Sequence, residues 1–285
     1  MSGTTVAALV AELATVLQAA GIENARAEAR ILVEAATGLD RTAQLRDPDQ
    51  PVEAPAALAL AARRAAREPM AYIQGRREFW GRDFAIGPGV LVPRPETETL
   101  VEAVLEALPD RRARLRLADL GTGSGCLLLT LLDLFPAAVG VGVDLSAGAL
   151  GYAWVNRETF GLERRALLVQ GDWLEALAGP FDLIVANPPY IGRGEMRDAE
   201  TRHEPDAALI AGEDGLDAIR SITAAATAAL RPGGLLVLEI GATQARAVIE
   251  LSRSAGLVGT RVRADLAGRA RVVIGRRPKE LSFRR

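Results

Sequence analysis

Four residues that follow a short apolar run, Asn187-Pro188-Pro189-Tyr190, carry the most specific chemistry in this sequence. The run before them, Phe181 to Ala186, reads as a strand of a parallel sheet. The carboxyl ends of such strands are where α/β ligand crevices form. Two prolines stiffen the turn and free backbone carbonyls from strand pairing. Asn187 brings a side-chain carbonyl and Tyr190 a flat ring. Together they can hold a planar –NH2 group by two accepted hydrogen bonds and one stacking contact. The rest of the composition leaves few competing chemistries. The 285 residues include one Cys (Cys126), one His (His203) and one Lys (Lys279). No internal disulfide, Cys-rich zinc site or two-His metal site can be built from that set. A P-loop or Schiff-base lysine is equally disfavoured by a single Lys so near the end. The chemistry falls to backbone groups, carboxylates and amides. His203, between Arg202 and Glu204, reads as a loop residue.

Three further motifs lie upstream. Gly121-Thr122-Gly123-Ser124-Gly125 follows the strand-like Leu115–Leu120 and precedes a helix starting at Cys126. Glycines allow close backbone approach to a ligand, and helix-start amides favour polar or anionic groups. The G-x-G-x-x-G dinucleotide pattern is not met, because Cys126 stands where its third glycine belongs. Asp144 ends the next strand, 21 residues after Gly123. A carboxylate there can accept both ribose hydroxyls of a nucleoside; a helix N-cap is the plainer alternative. Asp172 and Trp173 end a third strand. Asp172 can accept from an exocyclic amine and Trp173 can lie flat against an adenine, or the pair is an exposed turn with a core Trp.

These motifs need a scaffold, and the pattern of the chain supplies one. From Leu115 onward, apolar runs at Leu115–Leu120, Ala138–Val143, Ala166–Val169, Phe181–Ala186 and Gly234–Ile240 alternate with helix-length segments. That predicts a mainly parallel sheet covered on both faces. Two last runs, Val258–Arg263 and Arg269–Gly275, predict a C-terminal antiparallel hairpin. Residues 1–75 read as a small helical bundle: Thr4 or Thr5 caps a first helix, Asn24 a second running to Gly38, and a third spans Ala56–Arg67. Residues 76–100 read as a β-hairpin and linker around Gly81. The expected division is therefore 1–75, 76–100 and 101–285. Hydrophobic residues at 49%, charged at 25% and a net charge of −2 fit a globular chain without a bulk electrostatic grip on nucleic acid or membrane. No basic residue precedes Arg26 and no apolar stretch nears the ~20 residues of a membrane span, so a cytoplasmic protein is expected. The basic tail (Arg276, Arg277, Lys279, Arg284, Arg285) reads as solvated.

In this order the four motifs resemble the class I methyltransferases that use S-adenosylmethionine on amide or exocyclic nitrogens. Further segments narrow the resemblance: Ala71–Gly75, Arg77–Gly81, Val90–Glu98, Glu204–Leu209 and Gly212–Asp217 look like the release factor glutamine methyltransferase family. The match runs from about residue 69 to the end, with Ala211 where a Gly is common. The helical segment agrees in size and class only. The resemblance implies a Rossmann-like methyltransferase domain at 101–285 and release factor recognition by 1–75. It implies methyl transfer from S-adenosylmethionine to the side-chain N5 of the glutamine in the Gly-Gly-Gln motif of class I peptide chain release factors. Asn187, Pro188 and Tyr190 would be catalytic, and with Pro189 would bind the substrate. Gly121, Thr122, Gly123, Ser124, Gly125, Asp144, Asp172, Trp173 and Asn187 would bind the cofactor, with no metal. An adenine-N6 DNA methyltransferase uses the same Asn-Pro-Pro-Tyr logic. Residues 1–75 carry 7 Arg against 9 acidic residues, and no basic or aromatic-rich target-recognition segment is visible. A non-catalytic module binding a nucleoside and a protein partner is the third possibility, but it would have no use for a nitrogen-orienting turn.

Overall fold

The computed structural model describes residues 4–175 and 177–279. They form two compact units: the chain up to Gly75 together with Asp198–His203, and Arg76–Arg197 together with the chain from Glu204 onward. Among the described residues, no helix is long and apolar enough to cross a membrane.

The first unit holds helices α1 (Val6–Ala19), α2 (Ala25–Thr37), α3 (Arg41–Arg46), α4 (Pro55–Ala65) and α5 (Met70–Gln74). Two-residue strands β1 (Thr4–Thr5) and β2 (Pro51–Val52) pair antiparallel. The spacing of Val6, Leu9, Val10, Leu13 and Leu17 puts them on one face of α1, and all are buried. They pack with Ala29, Leu32 and Val33 of α2 and with Ala57 and Ala61 of α4. Thr5 caps α1, its Oγ1 accepting from the Ala8 N–H at 3.2 Å. Asn24 precedes α2 as expected, but its side chain makes no capping hydrogen bond. The short helices α3 and α5 carry too few turns for a periodic signal and were not foreseen. Glu200 joins this unit through Arg64, which bonds Glu28 as well.

The second unit opens with a hairpin of β3 (Arg76–Phe79) and β4 (Arg82–Ala85). Its two-residue turn, Trp80-Gly81, has positive φ at both positions, the geometry that matches strand twist. After α6 (Glu98–Ala107) comes a seven-stranded sheet with strands β5 (Arg116–Leu120), β6 (Val139–Asp144), β7 (Ala166–Gln170), β8 (Phe181–Ala186), β9 (Leu230–Glu239), β10 (Val258–Ala264) and β11 (Ala270–Arg276). Its order is β10-β11-β9-β8-β5-β6-β7. Pairs β5–β6, β6–β7, β5–β8 and β8–β9 are parallel; β11 runs antiparallel to β9 and to β10. Helices α7 (Cys126–Leu134), α8 (Ala147–Thr159), α9 (Asp217–Ala229) and α10 (Ala245–Ser254) connect the strands. Every residue of β8 is buried, as a central strand covered on both faces requires.

Two details depart from the sequence reading. Strand β9 starts at Leu230, because Leu230 pairs with Phe181 before a register shift leads to the Leu183–Leu235 pair. Arg276 and Arg277 are not simply solvated: they donate to the carbonyls of Gly233 and Leu230 at the head of β9. Arg284 and Arg285 lie outside the described residues.

Candidate active site

The strand order reverses between β5 and β8. Beyond β5 the chain builds outward through β6 and β7, then returns to β8 on the other side. A crevice must open at the carboxyl ends of the strands at such a switch point. A cavity of about 320 Å³ lies there, its wall including Gly121, Gly123, Asp144, Asp172, Trp173, Asn187 and Pro189.

The glycine turn after β5 forms one wall. Gly121 has φ +72°, and a Cβ there would come within 3.2 Å of the Trp173 ring. Gly123 has φ +57°, and its N–H donates to Asp144 Oδ2 at 2.8 Å. The other oxygen, Oδ1, accepts from Ser146 N at 2.9 Å. Burial raises the Asp144 carboxyl above its ordinary value, and the two N–H groups oppose that shift. With one hydrogen bond on each oxygen, the carboxylate keeps lone pairs for two more donors. Thr122, Ser124 and Gly125 stand behind this wall. The Thr122 hydroxyl donates to Asp119 Oδ2 at 2.6 Å, and Ser124 is buried with its carbonyl accepting from Asn156 at 2.9 Å. Gly125 is the N-cap residue of α7. Asp119 itself is fully enclosed, and burial pushes its carboxyl up to about 7.

The turn after β7 forms the second wall. Asp172 is exposed. Trp173 takes φ +42°, a left-handed conformation unusual for a bulky residue. Its half-buried ring packs on the central core while also lining the cavity. The ring is a core contact and a cavity-lining surface at once.

The turn after β8 forms the third wall. Asn187 donates from Nδ2 to Thr97 Oγ1 at 3.1 Å. Pro188 is buried, and with Asn187, Tyr190 and Arg94 it lines a small recess beside the main cavity. The Tyr190 carbonyl accepts from Gln244 Nε2 at 2.9 Å. Burial pushes the Tyr190 hydroxyl up to about 12, keeping it protonated. Under the turn, Glu239 at the end of β9 is wholly buried. Burial pushes its carboxyl up to about 7, opposed by the Thr97 and Tyr190 hydroxyls and the Arg271 guanidinium.

The fourth wall comes from Gly89–Leu91 and from Pro205, Ala207 and Ala208. Glu204 joins these two segments, accepting from Val92 N at 2.9 Å and from Arg94. Both segments fall within stretches that carry the family resemblance, and the sequence suggested no separate role for them. Thr97 lay inside one of them, and Glu239 carried no signal beyond being polar in an apolar strand. His203 belongs to the helical unit, where its Nε2–H donates to the Ala66 carbonyl at 2.9 Å. Cys126 stays a neutral thiol, since burial pushes it up to about 12. Among the described residues, no group of His, Cys, Asp and Glu could hold a metal.

This strand order with its single reversed strand, and a crevice walled by a glycine turn, a strand-end carboxylate and Asn-Pro-Pro-Tyr, define a class I methyltransferase. The cofactor of that class is S-adenosylmethionine. Residues 8–75 match the PrmC N-terminal domain and residues 96–203 the methyltransferase small domain. A release factor glutamine methyltransferase of Rhodospirillum rubrum is 46% identical, the match covering 92% of this chain and 82% of that protein. One from Cereibacter sphaeroides is 47% identical over 92% of this chain and 95% of its own. The chain belongs to the release factor glutamine methyltransferase family. Among solved structures, a methyltransferase from Pyrococcus furiosus shares the fold at 19% identity, with a TM-score of 0.53 over 70% of this chain and 91% of that one.

Proposed function

We propose that this chain methylates the side-chain N5 of the glutamine in the Gly-Gly-Gln motif of class I peptide chain release factors, with S-adenosylmethionine as methyl donor. The observation that carries the reading is one shared cavity with Asp144 on one wall and Asn187 and Pro189 of the Asn-Pro-Pro-Tyr turn on another. The cavity fits the cofactor: Asp144 has lone pairs for a ribose diol, Gly121 and Gly123 leave space for close approach, and Trp173 and Asp172 offer a flat face and an acceptor to an adenine. When bound, S-adenosylmethionine supplies an electrophilic methyl group on a sulfonium.

The chain's own work is to hold the nucleophile. A carboxamide nitrogen is a poor nucleophile because its lone pair is delocalised into the carbonyl. Asn187 Oδ1 and the Pro188 carbonyl accept its two N–H groups and so set the direction of the lone pair, a positioning effect. The same acceptors stabilise the positive charge that grows on nitrogen during transfer. Tyr190 stacks against the planar amide, and Pro189 stiffens the turn. The proton leaves after transfer, so no strong base is needed. The helical unit, which carries no chemical motif, recognises the protein substrate. The test is mass spectrometry of a purified release factor after incubation with this protein and S-adenosylmethionine. One added methyl group on the Gly-Gly-Gln glutamine is expected. Transfer to DNA instead, or to neither, overturns the reading.

A further inference from the structure

Glu239 is a buried group at this site that the proposed mechanism does not use. It ends β9 with no exposure to solvent, and neither carboxylate oxygen has a hydrogen-bond partner. A buried, unpaired carboxylate is costly to keep. The groups that act on it come from four segments: Thr97 and Glu96 before α6, Tyr190 after β8, Arg271 on β11, and Cys126 at the start of α7. Two of these, the Thr97 and Tyr190 hydroxyls, act on it without closing a hydrogen bond. Thr97 is also the partner of Asn187, whose Nδ2 donates to Thr97 Oγ1 at 3.1 Å.

We infer that Glu239 is a positioning residue for Asn187: its carboxylate takes the only proton of the Thr97 hydroxyl, so that Thr97 can only accept and Asn187 must turn its –NH2 toward Thr97 and its Oδ1 toward the target amide. The inference rests on the reading that Asn187 Oδ1 accepts the glutamine N–H. A threonine hydroxyl is by itself ambiguous, able to donate or accept, and an asparagine amide can flip to suit either role. A carboxylate has no proton to give, and this removes the ambiguity. The Tyr190 hydroxyl acts on the same carboxyl group, so one buried group is placed to bear on both ends of the Asn-Pro-Pro-Tyr turn. Arg271 favours the charged form that the relay needs.

Glu239→Gln is nearly isosteric but offers Thr97 both a donor and an acceptor, which frees the Asn187 amide to flip. The turnover rate on release factor should fall about 10- to 100-fold. KM for release factor and affinity for S-adenosylmethionine should stay within about 2-fold, because Asp144 and the glycine turn are untouched. The melting temperature should not fall, since the cost of burying a charge is removed. Thr97→Val should lose rate similarly, and combining it with Glu239→Gln should add little. In an Asn187→Asp background, Glu239→Gln should cost less than about 3-fold, because a carboxylate presents an oxygen whichever way it turns. A wild-type turnover rate for Glu239→Gln, an equal loss in both backgrounds, or a rate loss that tracks a lowered melting temperature would each overturn the inference. Full activity of Asn187→Ala would instead remove the reading on which it rests.

Discussion

At the scale of single residues, the site divides into a half that binds and a half that reacts, and mutation should separate them. Asp144 holds the glycine turn through Gly123 and has lone pairs facing the cavity. Asp144→Ala removes an acceptor for two hydroxyls, a loss of about 1.5–3 kcal/mol, or about 10- to 150-fold in S-adenosylmethionine affinity. Calorimetry on the folded variant checks this, and unchanged affinity would take Asp144 out of the site. Asn187→Ala should do the reverse. It removes one of two acceptors for the target amide, and loss of one preorganised polar contact typically costs about 10²–10³ in rate. Cofactor affinity should drop far less. Asn187→Asp adds a negative charge near a cationic cofactor and can tighten ground-state binding without speeding transfer, because uniform binding does not raise turnover. A slow enzyme with normal or tighter cofactor affinity is expected, read by single-turnover methylation beside calorimetry. Full methylation with Ala at 187 would sink the mechanism.

At the scale of elements, the glycine turn depends on a residue well away from it in sequence. Asn156 on α8 is buried and makes three hydrogen bonds. Its Oδ1 accepts from Ala85 N at 2.7 Å, and its Nδ2 donates to the carbonyls of Ala85 at 3.1 Å and Ser124 at 2.9 Å. It therefore ties the end of the hairpin to the start of α7. Asn156→Ala leaves buried backbone groups unpaired and should destabilise the protein by about 2–4 kcal/mol. Urea unfolding followed by circular dichroism reads the loss; a change below about 0.5 kcal/mol would mean water or rearrangement replaces all three bonds. Asn156 also shows where sequence reading stops. The central strands were legible because burial on both faces makes them continuous apolar runs, and β8 came out at Phe181–Ala186 as read. The hairpin turn was legible from Gly81, and the Asn187–Tyr190 turn from its own composition. Asn156 and Glu239 were not, since the groups around them are supplied by elements distant in the chain. The return of Asp198–His203 to the helical unit was hidden for the same reason, because its tie is the Arg64–Glu200 pair. Thr122 shows a subtler limit: it lies in a motif whose backbone faces the cavity, yet its side chain turns inward to Asp119.

At the scale of the whole molecule, two enclosed carboxylates set a pH dependence of stability. Burial pushes Asp119 and Glu239 up to about 7, above the range of an unfolded carboxylate near 4. The folded state therefore binds more protons than the unfolded one between about pH 4 and pH 7. Their contribution is fully present below the unfolded values and is lost as pH rises through about 7. The melting temperature should fall between about pH 4 and pH 7, and Glu239→Gln should flatten that slope; an equal slope in both proteins would show that Glu239 does not titrate there. The division into two units carries the last prediction. All the cavity-lining residues belong to the second unit, and its sheet has its own continuous apolar core. The helical unit has a separate core and no group poised for chemistry. A chain beginning at Arg76 should therefore bind S-adenosylmethionine about as well as the full protein, which calorimetry checks along with its folding. It should methylate intact release factor poorly, because binding energy from parts of the substrate remote from the glutamine is what holds the reacting amide in place. A short peptide bearing the Gly-Gly-Gln motif has little remote surface to lose, so its slow methylation should differ much less between the two chains. If the shortened protein binds the cofactor and methylates intact release factor at the full rate, the helical unit has no part in recognition.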